Sequence, residues 1–169
     1  MVRAILHRLY LFCGYAAATF LAGIAVATLC QVVGRQLGMP IETTELSGFF
    51  LAASTFLGLA YTFVNGGHVR VEIIAQLCSP SVYRWFQLWC CAIAALITAY
   101  AALHTFLFAL ETWRFGELSP GMLAMPLWLP QAAISFGLAV MCLGIIEQAT
   151  LVWAGRTPGY EANIDSTGE

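Results

Sequence analysis

The sequence predicts an all-α membrane protein with four transmembrane helices and a short amphipathic interfacial helix between the second and third. Three observations predict it. Of 169 residues, 60% are hydrophobic and only 9% charged, against roughly 25% charged in ordinary soluble domains. Four apolar stretches reach the length of roughly 20 residues that a membrane-spanning helix needs. The tryptophans, Trp85, Trp89, Trp113, Trp128 and Trp153, all fall near the ends of those stretches, at the headgroup level this side chain prefers.

The first span is read at residues 9–33, with Gln31 its one strongly polar residue. Arg3 and Arg8, the apolar run and Ala25-Val26-Ala27 together resemble a cleavable signal peptide. The apolar run continues through Val33, however, with no polar stretch before the supposed cut, so the span is read as permanent. The second span is read at residues 46–64, preceded by Glu42 and Glu45, acids suited to a helix N-terminus. The third runs over about 85–110 and the fourth over about 130–153. Pro130 suits a first helical turn, where its missing N–H costs nothing. Residues 1–154 thus form one membrane domain, and the polar stretch 155–169 reads as a disordered tail.

Arginine bias sets the expected orientation. With both termini inside, the cytoplasmic side carries Arg3, Arg8, Arg70, Arg84 and Arg156, and the outer side only Arg35 and Arg114. The chain has no lysine, and its net charge of −2 without a basic cluster argues against nucleic acid.

Helices in lipid associate through small residues that let backbones approach. Gly14, Ala18 and Ala22 are spaced four apart in the first span, and Gly48 with Ala52 and Ser54 with Gly58 in the second. These are read as packing seams. Ionisable groups inside a membrane are functional candidates by default, and here they are few. His104 and Glu111 lie toward the outer end of the third span, and Glu147 near the inner end of the fourth. The plain reading is a hydrogen-bonded histidine and two interfacial glutamates; a proton or ion path is the sharper one.

The cysteines, Cys13, Cys30, Cys78, Cys90, Cys91 and Cys142, include no C-x-x-C pair and read as small apolar fillers. The first span lacks the central carboxylate a small multidrug exporter would use. Paired histidines at matching depth, as a haem cytochrome needs, are missing, as are paired cysteines in the outer loops for disulfide chemistry. No HExxH, phosphate loop or nucleophile–base pair stands out. No catalytic residue, metal site or cofactor is expected, and a helper subunit is the reading.

One charged stretch, NGGHVRVEII at residues 65–74, separates the two middle spans. On a helix His68, Glu72 and Gln76 share one side while Val69, Ile73 and Leu77 share another. Arg70 falls in the apolar arc and must snorkel or find a carboxylate. A Gly66-Gly67 turn followed by an interfacial helix is preferred over a lone strand, whose backbone would go unpaired. A solvated loop is the alternative.

Three stretches together resemble the small integral-membrane (Q-type) subunit of tripartite ATP-independent periplasmic (TRAP) transporters over roughly residues 5–155. They are GRQLGMPIETTELS at 34–47, GGHVRVEII at 66–74 and GELSPGMLAMPLWLP at 116–130. The resemblance implies a scaffold in the bacterial inner membrane beside a large permease subunit, served by a periplasmic solute-binding protein and coupled to sodium for organic acid uptake. In such a scaffold His68, Arg70 and Glu72 are expected to meet the permease or membrane lipids at the cytoplasmic face. Arg35, Glu42, Glu45, Arg114 and Glu117 on the periplasmic loops are expected to help dock the binding protein, the alternative being charges that only solvate the loops. Two other readings stand beside the resemblance: an autonomous four-helix exporter working as an oligomer, and a membrane redox subunit.

Overall fold

The computed structural model describes residues 2–39, 42–65 and 80–154. They form four helices: α1 (Val2–Gln36), α2 (Thr44–Val64), α3 (Pro80–Phe115) and α4 (Trp128–Trp153). Each is long and apolar enough to cross a membrane, so the four expected spans are borne out. The helices outrun the apolar stretches that predicted them because a polar residue at a membrane surface can remain helical. The interfacial helix expected after Gly67, and the tail 155–169, lie outside the described residues.

The ends of α1 and α3 are set by the same device. Gly38 and Gly116 adopt left-handed backbone angles, φ 73° and 63°. After α1, the Met39 N–H donates to the Gly34 carbonyl at 2.9 Å and the Gly38 N–H to the Arg35 carbonyl at 3.3 Å. After α3, the Glu117 N–H donates to the Thr112 carbonyl at 3.1 Å and the Gly116 N–H to the Trp113 carbonyl at 3.3 Å. Both are Schellman caps, which satisfy carbonyls left without intrahelical partners. Arg35 and Arg114 lie in the last turns, where a cation complements the helix dipole.

The helices pack in the order α1–α2–α4–α3, a row rather than a closed square. Tyr10, Cys13, Ala53, Leu57, Ala60 and Val140 form the core where α1, α2 and α4 meet. The α2–α4 crossing is the closest. A Cβ on Gly137 would collide with the Phe56 carbonyl and stand 3.0 Å from the Leu57 nitrogen, so glycine is required there. Between α1 and α2, Gly23 receives the ring of Phe50, which also meets Phe20 at a centroid distance of 5.5 Å.

The α3–α4 seam is built from small residues. Cys91, Ala95, Thr98, Ala102, Thr105, Ala109 and Thr112 recur three and four apart along one face of α3, the spacing of an antiparallel coiled-coil seam. Such short side chains let α4 come close enough for hydrogen bonds to the α3 backbone. The Ser135 hydroxyl donates to the Ala102 carbonyl at 3.0 Å, and the Cys142 thiol to the Ala95 carbonyl at 3.6 Å. Thr98 and Thr105 satisfy their own hydroxyls on carbonyls one turn back.

Candidate functional site

Beyond the Ser135 and Cys142 bonds of the α3–α4 seam, polar contacts between helices lie near the helix ends, as expected where apolar lipid gives way to headgroups and water. At the end opposite the chain termini, the start of α2 is the hub. Thr43 occupies the N-cap position, yet its hydroxyl makes no cap bond to α2. It is buried and donates instead to the Ala27 carbonyl on α1 at 3.0 Å, lying also 3.0 Å from Gln31 Oε1. Gln31, the polar exception of the first span, thus has its partner across the helix pair.

Two residues on, Glu45 holds the loop between α3 and α4. Its carboxylate accepts the Leu123 N–H at 3.2 Å and the Met125 N–H at 3.3 Å, and the Ser119 side chain is a further hydrogen-bonding neighbour. Ala124, between the two donors, has a left-handed φ of 45°. That turn aims the two flanking N–H groups at one point, a backbone nest that suits an anion. Across the loop, Leu118 bridges Pro126, the Ser119 N–H donates to the Met125 carbonyl at 2.8 Å, and the Leu127 N–H to the Glu117 carbonyl at 3.2 Å. Gly121 lies against Glu45, and a Cβ there would stand 2.8 Å from the carboxyl carbon. The stretches 42–47 and 116–127, far apart in sequence, therefore make one folded unit.

The residues considered for the periplasmic loops divide accordingly. Glu45 spends its carboxylate inside the chain. Arg35, Glu42, Arg114 and Glu117 are exposed. His68, Arg70 and Glu72 lie outside the described residues. Among the packing residues, a Cβ on Gly14 would meet the Tyr61 ring at 2.9 Å, and one on Gly58 would meet Ala17 at 3.6 Å. Ala52 and Ser54 are half-buried, with the Ser54 hydroxyl on the Leu51 carbonyl at 3.1 Å. Ala18, Ala22 and Gly48 are on open faces, and nothing lies within 4 Å of a Cβ built on Gly48. Gly23 and Gly137 were not singled out in the sequence, although Ala27 and Ala133 stand four residues from them, nor was the α3–α4 seam. The alternating three-and-four spacing of Ala, Thr and Cys along α3 was the signal for that seam.

At the end bearing the termini, the Tyr10 hydroxyl donates to Glu147 Oε2 at 2.9 Å, tying α1 directly to α4. Arg84 on α3 donates to the Trp153 carbonyl in the last turn of α4, a cap supplied by a neighbouring helix. His104 is exposed and stacks on Tyr100 one turn earlier, with ring centroids 4.2 Å apart; Glu111 is also exposed. Cys13 and Cys91 are buried, while Cys30 and Cys90 are exposed. Among the described residues no three His, Cys, Asp or Glu side chains cluster as metal ligands would.

No curated protein and no solved structure matches the chain. A family model does: the DctQ component of tripartite ATP-independent periplasmic transporters, over residues 24–155. That range takes in all three stretches of the sequence resemblance, including the Glu45-held loop. With four membrane-spanning helices and a match over most of its length, the chain belongs to the DctQ-component family of these transporters.

Proposed function

We propose that this small transporter subunit is a noncatalytic scaffold that packs beside a large permease subunit. The complex would carry out sodium-coupled uptake of an organic acid across the bacterial inner membrane, with both termini of this chain in the cytoplasm. The solute and ion sites would lie in the larger subunit, and a periplasmic binding protein would deliver the solute. The observation that carries the scaffold reading is the set of small residues left without an internal partner. Ala18 and Ala22 on α1 and Gly48 on α2 face outward. Lipid does not require small side chains, whereas a closely packed partner helix does.

Tagging the C-terminus, solubilising native membranes gently and identifying the copurifying chains tests this directly. A stoichiometric large multispan chain is the expected result, and Ala18→Trp or Gly48→Trp should reduce its recovery. Recovery of this chain alone, from membranes in which other complexes survive, would instead favour an autonomous oligomer.

His68, Arg70 and Glu72 are assigned to the cytoplasmic contact with the permease or lipid headgroups, with Arg70 in a cross-subunit ion pair. Truncating one partner of such a buried pair costs roughly 3–5 kcal/mol, so Arg70→Ala should weaken assembly; normal assembly and transport would remove this assignment. On the opposite face, the exposed Arg35, Glu42, Arg114 and Glu117 are assigned to docking of the binding protein. Glu117→Lys should change the salt dependence of that affinity, and an unchanged dependence would count against docking there.

A further inference from the structure

The α3–α4 seam opens at the end bearing the chain termini into an apolar groove of about 450 Å³, floored by Leu88, Ala92, Ala95, Ile146 and Ala149. Two tryptophans flank its mouth. Trp85 and Trp153 meet edge to face, with ring centroids 6.3 Å apart and planes at 87°, and both remain more than 60% exposed. Beside them a recess of about 240 Å³, sharing Trp85, Leu88 and Trp153 with the groove, is lined by Arg84. One guanidinium N–H of Arg84 goes to the Trp153 carbonyl. A guanidinium has five such donors in a fork that matches phosphate.

We propose that this groove binds one anionic phospholipid, with an acyl chain along the alanine floor and the phosphate on Arg84. The tryptophans set the depth, since indole rings prefer the headgroup level; the groove below them is at acyl-chain depth. What favours a lipid over a partner helix is the pairing of an apolar floor with a guanidinium at the tryptophan level, which matches an acyl chain and its phosphate in one molecule. The charge at the mouth selects a headgroup with net negative charge, because the arginine attracts it without a compensating cation on the lipid.

The test is titration of the delipidated full-length chain in detergent, followed by native mass spectrometry. The probes are dioleoylphosphatidylglycerol and dioleoylphosphatidylcholine, which share acyl chains. One tightly held phosphatidylglycerol is expected, preferred by about fivefold, the contribution of one arginine at an anionic surface. Arg84→Lys should keep the preference and Arg84→Gln should lose it, while Ala149→Phe should fill the groove and release both lipids. Equal binding of the two lipids by the unmodified chain would overturn the proposal. So would full retention by Ala149→Phe, or cross-linking of Ala92→Cys in native membranes to a helix of a copurifying chain.

Discussion

A Cβ on Gly121 would overlap the Glu45 carboxylate, standing 2.8 Å from its carboxyl carbon. The carboxylate that leaves the first turn of α2 occupies the space a side chain at 121 would take, and from there it reaches the amides of Leu123 and Met125. Gly121→Ala should therefore displace the carboxylate, and Glu45→Ala should remove it. Both variants are expected to speed hydrogen exchange at the Leu123 and Met125 amides, and Glu45→Gln, which keeps an acceptor, should do so less. Unchanged exchange in Glu45→Ala would show that the loop holds itself.

Gly137 and Gly48 make a matched pair for testing helix approach. The α2 backbone stands against Gly137, while Gly48 faces open space. Overpacking a well-packed contact costs typically 1–3 kcal/mol, so Gly137→Ala should lower the melting temperature in detergent and Gly48→Ala should leave it nearly unchanged. Equal effects at both positions would contradict the close α2–α4 crossing.

The two Schellman caps predict equal behaviour at Gly38 and Gly116. A left-handed residue with a Cβ costs roughly 1–2 kcal/mol, so alanine at either position should destabilise the far end of α1 or α3 by about that much. Asparagine, which tolerates this region better, should cost less. Thermal unfolding of the four variants ranks them.

Tyr10→Phe deletes the hydrogen bond to Glu147 while keeping the ring in the core. Interhelical hydrogen bonds in membrane proteins are worth about 0.6 kcal/mol on average, and a loss of that order is expected. Glu147→Ala in the Tyr10→Phe background should add little further loss through the shared bond, a comparison that a double-mutant cycle makes directly.

Hydropathy and tryptophan placement made the four spans legible, because lipid imposes length and composition on anything that crosses it. The helix ends were less so. Hydropathy stops at the last apolar residue, whereas α1 and α3 run on to the glycine caps at 38 and 116, which obey backbone geometry instead. The α1–α2–α4–α3 order was not legible, since it rests on Gly137 meeting the Phe56 carbonyl and on contacts between elements distant in sequence. Glu45 shows the same limit from the side of the site. An acid at a helix start announces compatibility with the dipole, but nothing local says that it will reach a loop nearly eighty residues later.

The row order also dictates how the molecule can be put together. Helices α1 and α2 pack as one antiparallel pair and α3 and α4 as another, each pair made of neighbours in sequence. The principal contacts that bridge them are the α2–α4 crossing, the Tyr10–Glu147 bond and the grip of Glu45 on the loop. During synthesis the α1–α2 hairpin can insert and close before α3 and α4 exist. The two pairs then dock laterally in the bilayer, so a chain severed between them should reassemble from separately expressed halves.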